Sequence, residues 1–136
     1  MIEGIGLSNV SAAQLQHALD ITEIVTVQNS FSLLERGSAE VLDLTSRHGI
    51  SFAPYLPLGW PQPRRAQTLQ HPAVQAIAAR TAATPTQVVL AWLLGLAPNM
   101  LLIPGTSSIE HLRENVGAGE IELLPEERAA LSALSG

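Results

Sequence analysis

The sequence contains no cysteine and no lysine, and it has a single tyrosine, Tyr55. Without cysteine the chain forms no disulfides, offers no thiolate ligands to a metal and has no cysteine nucleophile. With no lysine and one tyrosine, two side chains that commonly transfer protons in enzymes are scarce. The four histidines, taken with the aspartates and glutamates, show no spacing typical of a metal site, so we expect no metal cofactor.

Long apolar runs and concentrated positive charge are also missing. No hydrophobic stretch approaches the roughly 20 residues that span a bilayer, and Met1–Ile5 lacks the charged region of a signal peptide. The seven arginines are dispersed along the chain and the net charge is −5, which disfavours nucleic acid as a partner. These absences predict a cytoplasmic protein that binds neither membranes nor nucleic acids.

The composition predicts one globular domain over residues 1–136. Hydrophobic residues make up 46% of the sequence, charged residues 14% and aromatic residues 4%. A chain of this length can bury a substantial core. Because aromatics are few, we expect that core to consist of Leu, Ile, Val and Ala.

Four strand-then-helix units follow one another along the chain. Short apolar runs predict strands, and the helical spacing of apolar side chains after them predicts helices. The predicted strands are Ile5–Ser8, Ile24–Gln28, Ile50–Tyr55 and Met100–Ile103, and the predicted helices begin near Ser11, Ser38, Pro72, Pro85, Ser108 and Pro125. The proline-rich segment Pro57–Pro63 is predicted to be a mobile loop. This alternation favours an α/β fold with a parallel sheet.

The most informative local pattern follows the fourth predicted strand. A Pro104-Gly105 turn leads to Thr106, Ser107 and Ser108, which stand at the predicted start of a helix. Free backbone N–H groups and hydroxyls at a helix N-terminus form an anion site, for which phosphate is a natural ligand. Helix capping alone also explains such a cluster, so both interpretations stay open.

Six segments together resemble the motifs of the aldo-keto reductase family, in that family's order and spacing. They are Ile5–Val10, Val27–Leu34, Pro54–Gly59, Thr84–Gln87, Leu90–Leu94 and Ile103–Asn115. The resemblance implies a (β/α)8 TIM barrel, which typically has about 250 residues. This chain corresponds to the C-terminal half of that barrel, the fifth to eighth strands. The expected architecture is therefore half of a TIM barrel, with four parallel strands each followed by a helix.

The resemblance also implies a wall that binds NADP(H). The implied contacts are Ser8, Asn9, Gln28 and Tyr55 at the nicotinamide, Leu58 and Gly59 at the pyrophosphate, Thr106, Ser107, Ser108 and His111 around the 2′-phosphate, and Glu114 and Asn115 at the adenine. Some of these residues have ordinary structural alternatives. Gln28 could satisfy a loop carbonyl, and Tyr55 could be a half-buried packing aromatic.

Two positions near the implied 2′-phosphate pocket depart from the family pattern. His111 stands where many members have arginine, and Gly105 stands where many have lysine. Both departures remove fixed positive charge. The choice between NADP and NAD is therefore left open, and weak binding is expected.

The family's catalytic Asp, Tyr, Lys and His belong to the N-terminal half of the barrel, and none can be carried over to this sequence. We therefore expect an aldo-keto-reductase-like half-barrel that keeps the NADP(H) wall and does not reduce carbonyls on its own. Tyr55 and His111 remain candidates for proton transfer. Two alternatives are a non-redox enzyme of the isomerase, cyclase or dehydratase type, and an inert fragment or one half of a split NADPH-dependent reductase.

Four strands taken from a barrel cannot close on themselves, so the first and last strands would present unpaired backbone groups. Two copies related by a two-fold axis would form a closed barrel of eight strands. A separate N-terminal half, or a flattened sheet, are the alternatives. Because Met1 lies directly before the first predicted strand, we predict a homodimer.

Overall fold

Short parallel strands alternate with helices in the computed structural model, which describes residues 1–134. The strands are β1 (Gly6–Ser8), β2 (Thr26–Gln28) and β3 (Ser51–Phe52), and the helices are α1 (Ala12–Leu19), α2 (Ala39–His48), α3 (Gln62–Leu69), α4 (Pro72–Thr81), α5 (Pro85–Leu94), α6 (Ile109–Gly117) and α7 (Pro125–Ser132). A 3₁₀ turn, Ala118–Glu120, follows α6. The predicted α/β fold with a parallel sheet is confirmed.

The sheet has the order β1-β2-β3, and both strand pairs are parallel. The register aligns Leu7, Val27 and Phe52 in one row across the three strands. Val27 and Phe52 are fully buried. Because side chains alternate between the two faces of a strand, this row faces the helices. The neighbouring row consists of Gly6, Thr26 and Ser51. The side chains of this row, on the opposite face of the sheet, are therefore small or polar.

The prediction of a fourth regular strand at Met100–Ile103 is wrong for the described residues. Met100 makes a single parallel bridge with Phe52. The Phe52 N–H donates to the Asn99 carbonyl at 2.9 Å, and the Leu101 N–H donates to the Phe52 carbonyl at 2.9 Å. The next bond in a parallel ladder would need an N–H from residue 54, which is proline and has none. The ladder therefore stops after these two bonds.

β3 is shorter than the predicted Ile50–Tyr55, although the chain stays hydrogen-bonded on the β2 side beyond Phe52. On the side facing β2, the N–H groups of Ser51, Ala53 and Tyr55 all donate to carbonyls, at 3.2, 2.8 and 3.1 Å. On the other side only Phe52 can donate, because Pro54 is the next residue that faces that way. The segment is thus extended to Tyr55, and beyond Phe52 its hydrogen bonds are on the β2 side.

Helix α3 begins inside the segment Pro57–Pro63, which the sequence predicted to be a loop. Pro61 is the residue before the helix and Pro63 lies in its first turn. Proline is accepted there because the first N–H groups of a helix have no partner within the helix. The loop prediction therefore holds for residues 57–61 and is wrong for the remaining two.

Capping side chains mark the starts of the helices much as the sequence predicts. Ser11 and Thr84 each form a capping box, with Gln14 and Gln87 respectively. Gly49 ends α2 in the left-handed conformation, at φ 66°, which glycine adopts without a steric cost. These local patterns fix the helix boundaries to within a residue or two.

The core lies between the sheet and the helices. Helix α5 is its centre, because Val88, Val89, Leu90 and Leu93 are all completely buried. The aromatic pair Phe31 and Phe52 meets edge to face, with ring centroids 6.0 Å apart. Aliphatic side chains form most of the rest, as the composition predicts.

Arg36, in the connection between β2 and α2, holds the end of α7 against the core. Its guanidinium donates to the carbonyls of Leu131 and Ser132 at 2.9 and 2.6 Å, and its Nε donates to the Leu33 carbonyl at 3.1 Å. It also lies over the ring of Trp92, 4.8 Å from the centroid. Partial burial lowers the pKa of Arg36. This residue therefore joins the last helix to the loop that follows β2.

A second link attaches the start of α7 to α4. The Arg80 Nε and Nη2 atoms donate to the two carboxylate oxygens of Glu127, at 2.5 and 2.7 Å. The Leu124 N–H also donates to Glu127, at 2.8 Å. The hydrogen bond from Arg80 holds the pKa of Glu127 below its ordinary value, and in return it raises the pKa of Arg80.

We expect this link to stabilise the fold more at neutral pH than at acid pH. The contribution of Glu127 is complete above the carboxyl pKa of the unfolded chain, about 4.3, and it is lost as the pH falls through the lower folded-state pKa. Glu127→Gln keeps an acceptor for the Leu124 N–H and removes the charge. Its melting temperature should lie below that of the parent at pH 7, and the gap should shrink towards pH 3. Glu23→Gln, at an exposed position, is the control; an unchanged gap at pH 3 would contradict the prediction.

Candidate functional site

The carboxyl ends of the strands bring polar side chains together. Ser8 and Gln28 are paired in the register of β1 and β2, and both are exposed. Asn9 follows Ser8 with a left-handed backbone, at φ 55°, and its N–H donates to the Gln28 carbonyl at 3.0 Å. The left-handed turn directs the chain away from β1 and leaves these side chains at one edge of the sheet.

Tyr55, which follows β3 in the chain, is the fourth residue of this polar group. Its N–H donates to the Asn29 carbonyl at 3.1 Å, and its phenol O–H donates to the side-chain oxygen of Asn9. The phenol and the Asn9 amide are therefore held together, and the amide NH2 of Asn9 remains available as a donor. The structure thus places Ser8, Asn9, Gln28 and Tyr55 at one edge, as parallel strands require.

Asn29 supports this edge, and the sequence analysis did not single it out. The side chain is buried, with 4% of its surface exposed. It accepts from the Val10 N–H at 3.1 Å, donates to the Val10 carbonyl at 2.7 Å and donates to the Ser38 hydroxyl at 3.2 Å. The available signals were its position directly after a predicted strand and its place in the segment Val27–Leu34, which carries the family resemblance. Neither signal indicated its partners.

A cleft of about 460 Å³ opens beside Tyr55. One wall is the segment from Tyr55 through the loop to α3, and the other is the segment before α6 together with α6 itself. Its lining residues are Tyr55, Leu56, Pro57, Leu58, Gly59, Trp60, Gln62, Arg65, Thr86, Ile103, Pro104, Gly105, Thr106, His111, Glu114 and Asn115. This size is within the range typical of small-molecule sites.

The loop that forms the first wall has a fixed backbone. Gly59 has φ 91°, a conformation that favours glycine, and its N–H donates to the Leu56 carbonyl at 2.8 Å. A Cβ at this position would stand 3.4 Å from both the Arg64 Cγ and the Thr68 hydroxyl. Leu58 packs against the core. Glycine therefore lets the loop turn closely over α3 and present its backbone to the cleft.

The hydroxyl cluster on the second wall caps α6. The Ser108 hydroxyl accepts from the His111 N–H at 3.3 Å, and the Thr106 hydroxyl accepts from the Ser108 N–H at 3.1 Å. The oxygens of Thr106 and Ser108 therefore act as helix caps, as one of the two interpretations predicted. Each hydroxyl can still donate its proton to a ligand. Glu110 lies in the first turn of the helix, and its charge opposes an anion at this terminus.

The predicted contact residues divide into two groups. Those that line the cleft are Tyr55, Leu58, Gly59, Thr106, His111, Glu114 and Asn115. Those outside its lining are Ser8, Asn9, Gln28, Ser107 and Ser108. Tyr55 joins the groups, since it lines the cleft and is bonded to Asn9. The two groups therefore form one continuous edge of the molecule.

Polar and aromatic side chains outside the set of predicted contacts also line the cleft. They are Trp60, Gln62, Arg65 and Thr86. Three of them lie in or beside α3, which was predicted to begin as a loop. With Arg65, the hydroxyls and the amides, the cleft has donors for an anionic ligand, and Tyr55 and Trp60 provide aromatic surfaces. This donor set fits a phosphorylated nucleotide.

Metal and membrane features are absent from the described part of the chain. Among residues 1–134, no group of three His, Asp or Glu side chains could hold a metal ion. Nor does any helix there have both the length and the apolar character needed to cross a membrane.

Comparison with known proteins identifies the class. The model of the aldo/keto reductase family matches residues 1–135, so the chain belongs to the aldo-keto reductase family. The resemblance seen in the sequence is thereby confirmed. The chain spans about half the length of the curated relatives that it matches.

Two relatives and one solved structure illustrate the match. The chain is 43% identical to pyridoxine 4-dehydrogenase of Escherichia coli strain K12 over 135 residues, which cover 99% of this chain and 46% of that protein. It is 35% identical to an uncharacterized oxidoreductase of Schizosaccharomyces pombe, over 96% of this chain and 42% of that one. An aldo/keto reductase from Klebsiella pneumoniae, crystallised with NADP and acetate, is 31% identical and superposes with a TM-score of 0.84, over 96% of this chain and 47% of that structure.

Proposed function

We propose that the chain is the nucleotide-binding half of an NADP(H)-dependent oxidoreductase of the aldo-keto reductase type. The observation that carries this proposal is the bond between Tyr55 and Asn9, which joins the edge of the sheet to the 460 Å³ cleft. A dinucleotide needs such an elongated site, with an aromatic face at one end and anion donors further along. The NADP complex of the Klebsiella pneumoniae relative supports the same ligand class.

The residues would hold the nucleotide in sequence along this edge. At the nicotinamide end, Ser8, Gln28 and the free NH2 of Asn9 would bond the carboxamide, and Tyr55 would stack on the ring. The backbone at Leu58 and Gly59 would meet the pyrophosphate, and the hydroxyls of residues 106–108 would donate to a phosphate. Glu114 and Asn115, on α6, would contact the adenine. When bound, the nucleotide supplies a hydride.

We further propose that the chain does not reduce carbonyls by itself. Carbonyl reduction needs a proton donor beside the hydride acceptor. The 136 residues contain no lysine to activate such a donor, and their single tyrosine is bonded to Asn9. Tyr55 and His111, which line the same cleft, remain the candidates for any proton transfer. The rest of the catalytic set would come from the other half of a barrel.

The exposed edges of the sheet support a proposal about partners. Ile5, Leu101 and Ile103, which flank the sheet, have 41%, 54% and 45% of their surfaces exposed. Apolar residues on an unpaired strand edge favour pairing with another chain. We propose that two copies pair through these edges. A separate N-terminal half would occupy the same edges, and it is the partner that would restore carbonyl reduction.

Titration with NADPH, with the molecular mass measured in the same buffer, tests both proposals. Trp60 lines the cleft and is exposed, whereas Trp92 is buried, so quenching of tryptophan emission on binding reports mainly the cleft. We expect saturable binding to a species of twice the chain mass. Tyr55→Leu should weaken binding about tenfold, since stacking on an aromatic ring is worth about 1–3 kcal/mol. Tyr55→Phe keeps the ring and loses only the bond to Asn9, so it should weaken binding less than Tyr55→Leu does.

The outcomes separate the two proposals. Absence of saturable binding would overturn the nucleotide site. A monomer mass at micromolar concentration would overturn the homodimer, whatever the nucleotide does. Equal affinities for Tyr55→Leu and the parent would contradict the stacking role alone.

A further inference from the structure

Two adjacent arginines on α3 have different surroundings. Arg64 pairs with Glu35, with 3.3 Å between Nη1 and Oε2. Its Cγ would lie 3.4 Å from a Cβ at position 59, so Arg64 packs closely against Gly59. Arg65 is exposed and lines the cleft. It is not among the ion pairs found within residues 1–134. Of this Arg-Arg pair, the first residue holds the loop and the second presents its charge to the cleft.

The cleft has little other fixed positive charge. Position 105, where many family members have lysine, is glycine, and position 111 is histidine instead of arginine. The remaining formal charge in the lining is that of Glu114, which is negative. Without Arg65 the fixed charge of the lining would repel a phosphate. Its guanidinium is therefore the fixed positive charge of the lining, and it offsets the negative charge of Glu114.

We propose that Arg65 is the specificity-determining residue of the cleft, and that its guanidinium pairs with the 2′-phosphate that distinguishes NADP(H) from NAD(H). This inference rests on the proposed nucleotide site. Thr106 and His111, which the resemblance places around that phosphate, line the same cleft as Arg65. A guanidinium bonds a phosphate through two parallel N–H groups, which a glycine at position 105 cannot provide. The positive charge is thus supplied from α3, on the wall opposite position 105, where many family members have lysine.

The test compares two substitutions at neighbouring positions. Arg65→Gln removes the charge in the cleft, and Arg64→Gln removes a charge of the same helix that is bound to Glu35. We expect Arg65→Gln to weaken NADPH binding about tenfold or more, as the loss of a charge-assisted bond predicts, and to change NADH binding less than about threefold. Arg64→Gln should leave the ratio of the two affinities unchanged. Arg65→Lys should restore part of the preference, because it restores the charge without the paired geometry.

Fragments of the nucleotide test the role of Arg65 separately from the proposed function of the chain. Adenosine 2′,5′-bisphosphate carries the 2′-phosphate without the nicotinamide, and AMP lacks the 2′-phosphate. If the bisphosphate binds and Arg65→Gln weakens it selectively, Arg65 has the proposed role even where NADPH fails to bind and the proposed function falls. If NADPH binds but Arg65→Gln weakens NADPH and NADH equally, or neither, the inference is overturned and the proposed function stands. If no ligand binds, both are overturned.

Discussion

Arg36→Met is expected to lower the free energy of unfolding by about 2–3 kcal/mol, since bonds from a charged donor contribute roughly 1.5–3 kcal/mol and the stacked cation about 0.5–1 kcal/mol more. The side chain of Arg36 makes hydrogen bonds to three carbonyls and covers the ring of Trp92. Methionine keeps apolar contact with that ring but has no donors. Water can reach the freed helix-end carbonyls in part, which limits the loss. Urea unfolding of both proteins measures the difference.

The effect should be local as well as global. Helix α7 is held at its end by Arg36 and at its start by Glu127, so amide exchange should accelerate first in the last turn of α7. The Trp92 indole donates to the Ser132 hydroxyl at 3.1 Å, and its emission should report the same opening. Arg113→Met, at an exposed position on α6, is the matched control. A loss of stability no larger than that of the control would contradict the role assigned to Arg36.

Most helices could be predicted from interactions between residues close in sequence. The predicted strand at Met100–Ile103 did not form a regular ladder because Pro54 has no N–H to donate. Ser11, Thr84 and Gly49 act through neighbours within a few residues, so their roles can be predicted from spacing alone. The strand at Met100 depends on which residue faces it across the sheet. Pro54 is visible in the sequence, but its effect on that ladder follows only from the register of β3, which is a tertiary fact.

The candidate site shows the same division. Asn9, Gln28 and Tyr55 each end an extended segment, so the rule that parallel strands end at one edge brings them together without further information. Arg65 could not be assigned in this way. Arg65 lies just beyond the predicted loop Pro57–Pro63, where the sequence predicted neither a helix nor a strand. Only the observed helix α3 directs Arg65 to the cleft while Arg64 is held by Glu35. The family resemblance could not identify Arg65 either, because the positive charge that it describes stands at positions 105 and 111, on the opposite wall of the cleft.

Asn29→Ala is expected to reduce stability and nucleotide affinity together. The Asn29 side chain is bonded to both backbone groups of Val10, and Val10 directly follows the left-handed Asn9. Leaving partly buried backbone groups without partners costs about 1–3 kcal/mol. The turn at Asn9 should then move, and its bond to Tyr55 should weaken. We expect an NADPH affinity about tenfold lower, which corresponds to about 1.4 kcal/mol.

Asn99→Ala distinguishes a site effect from a general loss of stability. Asn99 is also bonded to a neighbouring segment, since its amide donates to the Ile50 carbonyl at 2.6 Å and to the Thr45 hydroxyl at 3.2 Å. It lies at the amino ends of the strands, however, opposite the edge that holds Tyr55. Its replacement should lower the unfolding free energy by a similar amount and leave NADPH affinity unchanged at temperatures where both variants are folded. If both variants lost the same affinity, Asn29 would be a structural residue only, because its position at the carboxyl edge would then have no particular effect on the nucleotide.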